Sequence, residues 1–320
     1  MHDSSSSTIA FLEIYRLHHH PKHPQKQMDE SFIQSEQVFL NTFELGIFEI
    51  YDFLYSKCLD TDHFKQWIID LKGADFFNTA SQQFFKLQSG NNSQQKADFA
   101  DILTAEQHAF WNTNGYLKIE QIINGQDCDA VTDLICQTLN IDLTNPQTWY
   151  PQHELLQGLM LQKYQDEAIA NIRNNIQIKA AFSSLYQHNN ILANCEKVSY
   201  NPPVNRHFSF KGSPLHWDID FQKGPRYYIQ GLLYLNDVPA NRGAFTLIPS
   251  FHHQIEEHLS RFDNPEIAIT ALRNKGLEIP VEGKKGDLIV WLESLPHAAS
   301  PNHSDLPRFV QYVSFNEIGF

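Results

Sequence analysis

The chain has 320 residues, 42% of them hydrophobic and 19% charged, so it can bury a sizeable core, and wholesale disorder and collagen-like repeats are excluded. Its length suits two domains, or one large α/β or β-barrel domain with an extension. A formal charge of −13 and the lack of any Lys/Arg-rich stripe argue against a nucleic-acid partner, and the longest apolar runs, such as residues 287–292, are too short to span a bilayer.

The amino terminus, Met1-His-Asp-Ser-Ser-Ser-Ser7, lacks the basic and apolar regions of a signal peptide, which points to a cytoplasmic protein with no membrane partner. Four scattered cysteines (Cys58, Cys128, Cys136 and Cys195) without CxxC spacing read as free thiols in a reducing compartment. Residues 1–30 read as a poorly ordered lead. Within it, the run from His18 to His23 is a solvated, proline-interrupted segment that binds metal only adventitiously. From Ser31 to about Phe85 the pattern turns helical. Ser31 is expected to cap a long helix reaching Tyr55, and a second helix from His63 stops at Gly73. The polar stretch Gln88–Gln95 has the composition of a linker, which divides the chain into a helical extension, 1–95, and a second domain, 96–320.

Sharp punctuation follows. Leu103-Thr104-Ala-Glu-Gln107 is a capping box; its helix is expected to bury Phe110 and Trp111 and to end at Gly115, before a short strand, 116–119. Asp127 opens another helix with Val131, Leu134, Ile135 and Leu139 on one face. Ile169, Ile172 and Ile176 mark a third, longer one ending near His188. After Asn190 the period changes to that of strands, at 196–200, 227–235, 244–248, 287–291 and 309–315, each bounded by Gly, Pro, Asn or Asp. Helices first and short strands after make the fold class α+β, with an antiparallel sandwich or barrel as the β-rich core.

The count of sixteen histidines asks whether some hold a metal. Within the β-rich part, His216-Trp217-Asp218 places one imidazole and one carboxylate on the same face of an extended segment. A non-haem Fe(II) site needs two imidazoles and a carboxylate on one face of an octahedron, with three positions open. HxD is a weak signal by itself, and His303-Ser304-Asp305 repeats it in what reads as a surface loop with no histidine downstream. The first HxD differs because His297 follows strand 287–291 and completes a triad. Arg308 then opens the last strand, where a guanidinium could clamp a dicarboxylate co-substrate through two parallel bonds.

From about Leu103 to Phe315 the chain resembles the phytanoyl-CoA dioxygenase family of Fe(II)/2-oxoglutarate oxygenases. The resemblance rests on Leu103-Thr-Ala-Glu-Gln-His-Ala-Phe-Trp-Asn-Thr-Asn-Gly-Tyr116, His216-Trp217-Asp218, the stretch from Leu235 to His252 with Pro249-Ser-Phe-His252, Gly286-Asp-Leu-Ile-Val-Trp291, and His297, Asn302 and Arg308 in order. It covers about two thirds of the chain. It implies a double-stranded β-helix, or jelly roll, with flanking helices. It also implies that His216, Asp218 and His297 are the iron ligands and catalytic centre, and that Arg308 binds the far carboxylate of 2-oxoglutarate. O2 and 2-oxoglutarate would be consumed, succinate and CO2 released, and an unactivated carbon of a small or medium organic substrate hydroxylated. Halogenating relatives have Ala or Gly at the aspartate position, so Asp218 points to hydroxylation.

There are two departures. Ser250 stands where the family usually has Gly, and Ala299 where a serine often assists the arginine. Tyr200, Gln230 and Trp291 are candidates to face the barrel interior, with Tyr200 and Gln230 placed at the co-substrate. Trp217 is expected to pack beneath the site, and His252 and His253 to be loop residues. An acyl-CoA substrate is disfavoured because no Lys/Arg cluster awaits its phosphates. The alternative reading is a catalytically silent jelly-roll module that binds metal or ligand, with the helical extension used for protein contacts. The oligomeric state is open.

Overall fold

The computed structural model describes residues 4–19, 30–89, 99–273 and 275–318. They divide into two compact units, one drawn from Met1–Phe99, His188–Glu196 and Phe315–Phe320, the other from Ala100–Gln187 and Lys197–Ser314. No helix among the described residues is long and apolar enough to cross a membrane.

The first unit contains helices α1 (Ser4–His18), α2 (Glu30–Thr42), α3 (Ile47–Ser56), α4 (Thr61–Lys72) and α5 (Ala74–Gln88). Its core is aromatic: Phe11, Tyr15, Phe39, Phe43, Phe64, Phe77 and Phe84 are all buried together. Helix α1 corrects the expectation of a disordered lead, since Phe11, Leu12 and Tyr15 are buried on one side of it. Of the histidine run, His19 pairs with Glu36 at 3.0 Å, while residues 20–23 lie outside the described set, as does most of the expected linker. The single long helix expected from Ser31 to Tyr55 is two helices. Ser31 sits inside α2, and the chain breaks after Phe43, where Glu44 takes a positive φ of 50° and Gly46 caps α3. Helix α4 ends as expected at Gly73 (φ +89°), which donates back to the Ile69 carbonyl, but starts two residues before His63, at Thr61, because Asp60 caps it by accepting from the His63 amide.

The second unit carries α6 (Ala105–Asn114), β1 (Tyr116–Ile119), α7 (Gly125–Leu139), β2 (Leu156–Gln157), β3 (Met160–Leu161), α8 (Glu167–Arg173) and α9 (Ile176–Tyr186). Strand β4 (Ile191–Ala193) belongs to the first unit. There follow β5 (Val198–Asn201), β6 (Ile229–Tyr234), β7 (Phe245–Leu247), α10 (Ile255–Leu259), α11 (Pro265–Arg273), β8 (Ile279–Val281), β9 (Leu288–Leu292), β10 (His297–Ala299) and β11 (Arg308–Glu317). The capping box is formed as expected: the Gln107 amide donates to Thr104 Oγ1 at 3.2 Å, and the Thr104 amide to Gln107 Oε1 at 2.9 Å. Trp111 is buried, but Phe110 is 41% exposed, contrary to expectation. The helix expected to run from Ile169 to about His188 is broken at Asn174-Asn175. Asn175 accepts from the Gln177 and Ile178 amides and starts α9 afresh, leaving Ile176 76% exposed.

All five expected strands are present, and every pairing is antiparallel. The larger sheet runs β1-β9-β6-β11-β5-β3-β2, with β4 paired to the end of β11, and the smaller runs β10-β7-β8. These two antiparallel sheets with flanking helices are the jelly roll. Its central strands β6, β9 and β11 are almost wholly buried, as strands covered on both faces must be. Gly231 sits where packing is tightest, since a Cβ there would lie 3.0 Å from the Val313 carbonyl and 3.1 Å from the Phe182 ring.

Candidate metal centre

The smaller sheet supplies the deeper half of the site. His297 opens β10, and across from it His216 forms an isolated antiparallel bridge: each amide donates to the other's carbonyl, at 3.0 and 2.9 Å. HxD is therefore held by one backbone bridge and not by a full strand. Directly opposed residues project to the same side, so the two imidazoles lie with ring centroids 4.5 Å apart.

Each ring is then aimed by its own chain. His216 Nδ1 lies 2.8 Å from the Pro214 carbonyl, and His297 Nδ1 lies 3.1 Å from that of Leu295. A carbonyl can only accept, so Nδ1 carries a proton in both rings, leaving Nε2 as the atom through which each ring would ligate a metal. Asp218 faces these nitrogens, with Oδ1 3.7 Å from His216 Nε2 and Oδ2 3.4 Å from His297 Nε2. The three ligand atoms lie within 4.8 Å of one another, the one such group of His, Cys, Asp or Glu among the described residues. The site is graded in depth: the His297 side chain is 6% exposed, those of His216 and Asp218 39% and 48%.

Electrostatics suit a cation. Burial and the neighbouring His297 ring together lower the His216 pKa. Burial works against ionised Asp218, but His297, Gln230 and His216 outweigh it and hold the carboxyl well below the usual range. Gln230 Nε2 donates to Asp218 Oδ2 at 2.8 Å, and Trp291 Nε1 donates to Gln230 Oε1 at 3.0 Å. Trp291 and Phe245 flank the His297 ring at 5.4 and 5.7 Å.

Arg308, the first residue of β11, is almost completely buried. One terminal nitrogen donates to the Gly243 carbonyl and the other to Ser199 Oγ at 3.2 Å. Its Nε has no partner among the described residues. A buried guanidinium with five donors and only two acceptors is short of an anion. Gly243 lies just before β7, the strand that brings Phe245 against His297, so one stretch of chain serves both groups. Gly243 also has a positive φ of 61°, and a Cβ there would meet Asn201 Nδ2 at 2.4 Å.

The structure brings His216, Asp218, His297 and Gln230 together, with Trp291 behind them. It does not bring Tyr200. The β5–β11 register pairs Tyr200 with Phe309 and Asn201 with Arg308, so Tyr200 leaves the face opposite to Ser199 and Arg308 and gives its hydroxyl to the Trp149 carbonyl at 2.9 Å. Ser199, one residue earlier, is the β5 side chain that reaches the guanidinium. Alternation puts Ser199 and Tyr200 on opposite faces of β5, and only the register decides which face meets Arg308. Trp217 packs against Phe251 and donates to the Ser294 carbonyl. The second HxD is a surface turn, with the Asp305 side chain 93% exposed beside Arg242. Ser250 adopts the left-handed conformation (φ +63°) that glycine takes freely, so the turn is kept at a steric cost. Ala299 uses its backbone amide, which donates to Ser213 Oγ at 2.8 Å.

Comparison with known proteins shows the family. The family model for phytanoyl-CoA dioxygenase (PhyH) matches residues 111–310. A Dictyostelium discoideum protein that carries the phytanoyl-CoA dioxygenase name is 20% identical over 262 residues, covering 64% of this chain and 73% of that one. In fold, the chain is similar to the non-heme α-ketoglutarate-dependent epimerase SnoN from nogalamycin biosynthesis, with a TM-score of 0.50 at 14% identity over 66% of this chain and 80% of that one. It is also similar to EvdMO1, with a TM-score of 0.50 at 16% identity over 66% of this chain and 49% of that one. Since the family model matches more than half of the chain, the chain belongs to the phytanoyl-CoA dioxygenase family and is a 2-oxoglutarate-dependent non-haem iron oxygenase.

Proposed function

We propose that His216, Asp218 and His297 hold Fe(II), that Arg308 receives the far carboxylate of 2-oxoglutarate, and that the protein hydroxylates a carbon of a small or medium organic molecule with release of succinate and CO2. The observation that carries this is the convergence of two imidazole Nε2 atoms and one carboxylate within 4.8 Å of one another, each aimed by its own hydrogen bonds. The donor set fits iron, since two neutral imidazoles and one carboxylate leave positions open for co-substrate and oxygen. The unpartnered Nε of buried Arg308 fits an incoming carboxylate. When bound, the iron would supply the redox chemistry with oxygen.

The chain's own residues do the rest. The Pro214 and Leu295 carbonyls fix the imidazole tautomers, Gly243 and Ser199 hold the guanidinium in place, and the buried wall of Phe245 and Trp291 keeps water from the His297 side. SnoN is named an epimerase, so the fold alone does not choose the outcome; the carboxylate at position 218 supports hydroxylation over halogenation. On this reading the chemistry belongs to the domain within 96–320, and the helical region within 1–95 stands outside it.

The test is oxygen-dependent succinate release from 2-oxoglutarate by the Fe(II)-loaded protein. Wild type should form succinate, and His216→Ala and Asp218→Ala should not. Binding of both Fe(II) and 2-oxoglutarate with no succinate formed, across a broad substrate screen, would favour the silent binding module instead.

A further inference from the structure

Asp218 is the most exposed of the three ligand candidates, yet it is not free to turn. The β6–β9 register sets Gln230 directly opposite Trp291, so both side chains leave the same face of the sheet. An indole N–H can only donate. Since Trp291 Nε1 points at Gln230 from 3.0 Å, the amide must present its oxygen to the indole and its nitrogen to Asp218 Oδ2, 2.8 Å away. The Trp291–Gln230–Asp218 chain therefore has one direction, and its anchor is rigid: Trp291 is buried, with its ring 4.2 Å from that of Phe245. Gln230 was expected at the co-substrate. Instead, both ends of its amide are engaged by the protein.

We infer that Gln230, oriented by Trp291, is a positioning residue that decides how Asp218 meets the metal. By occupying Oδ2 it leaves Oδ1 as the ligating oxygen, so the carboxylate binds through one atom. A carboxylate that spread over two positions would take a site that co-substrate or oxygen needs. The inference rests on the triad holding the metal, and it goes beyond that reading by giving the ligand's denticity to a residue that touches no metal.

The test uses Co(II), an oxygen-insensitive probe whose visible d–d bands report coordination number, titrated into metal-free full-length protein. Loss of a hydrogen-bond partner of a metal ligand typically costs about 10- to 100-fold in metal affinity or activity. Gln230→Met keeps the side-chain length and removes both polar ends. It should weaken Co(II) binding by that order and shift the bands. Trp291→Phe should move both readouts the same way but less, and should add little in the double variant, because it acts through Gln230. The 2-oxoglutarate concentration for half-maximal succinate formation should stay within about threefold of wild type, since Arg308 is untouched.

Wild-type Co(II) affinity and spectrum in folded Gln230→Met would overturn the inference. So would a raised 2-oxoglutarate requirement at unchanged metal affinity, which would make Gln230 a co-substrate contact. If circular dichroism shows that Gln230→Met does not fold, Trp291→Phe carries the test, and an unchanged spectrum there overturns the inference equally. If wild type itself binds no Co(II), the metal-centre reading fails, and this inference with it.

Discussion

Replacing Arg308 with lysine tests the co-substrate half of the site with the charge retained. The guanidinium already donates to the Gly243 carbonyl and to Ser199 Oγ, and still has an unpaired Nε in a site closed to water. A lysine ammonium is a single point with three donors. It cannot reach both protein acceptors and also grip a carboxylate through two parallel bonds. At least one charge-assisted bond to the co-substrate is lost, worth about 1.5–3 kcal/mol. That corresponds to roughly a 10- to 150-fold rise in the 2-oxoglutarate requirement. The assay is the initial rate of succinate formation against 2-oxoglutarate concentration, with thermal melting as a check on the fold. Half-saturation should rise by that factor while the rate at saturation changes little, and Co(II) affinity should be unchanged. A variant that melts like wild type and keeps the wild-type half-saturation would refute the reasoning. So would one whose saturating rate collapses at unchanged half-saturation.

Three other outcomes follow from single residues. Ser250 sits at φ +63°; that conformation costs a non-glycine residue roughly 1–2 kcal/mol, of which glycine's unfolded-state freedom gives back about 0.5–1. Ser250→Gly should therefore raise the melting temperature by a few degrees, and a fall would show that the turn is not strained. Gly243→Ala should lower the melting temperature and raise the 2-oxoglutarate half-saturation, because its Cβ would press into Asn201 and shift the carbonyl that holds Arg308; wild-type values for both would contradict this. Glu293 is buried, and burial raises its carboxyl pKa against the opposing pull of Arg226. The folded state thus holds this proton more tightly than the unfolded chain does. The group's contribution is complete below the ordinary glutamate value and is lost as pH rises through the raised one. The melting temperature of Glu293→Gln relative to wild type should accordingly rise as pH is raised from the ordinary glutamate value, about 4.3, upward, and a difference that stays flat would count against the buried-carboxyl assignment.

Much of the β-rich unit is legible in the chain because its strands are short, apolar and fenced by Gly, Pro, Asn and Asp. Caps are equally readable where a side chain closes on its own helix, as Thr104 does with Gln107. Breaks inside apolar helical patterns are not, because hydrophobic periodicity runs on through them. The turn before Gly46 and the Asn174-Asn175 restart both interrupt segments whose apolar residues continue on either side. Helix α1 was hidden for the opposite reason: a serine-rich start and a histidine run mask Phe11, Leu12 and Tyr15, whose burial needs partners from α2, α4 and α5. At the site, residue types and order single out His216, Asp218, His297 and Arg308. The bridge that sets His216 against His297 is a long-range backbone contact, which no local pattern encodes. The choice of Ser199 over Tyr200, and the role of Gln230 as a brace for Asp218, likewise depend on strand register.

The central claim is that one site binds iron and 2-oxoglutarate together. The most direct measurement is the visible absorption of metal-free protein mixed without oxygen with Fe(II) and then 2-oxoglutarate. A charge-transfer band should appear only when both are present, saturate at one equivalent of each, be absent in Asp218→Ala, and decay to baseline with succinate release when oxygen is admitted. No band in the wild-type protein, or a band of equal strength in Asp218→Ala, would contradict the account.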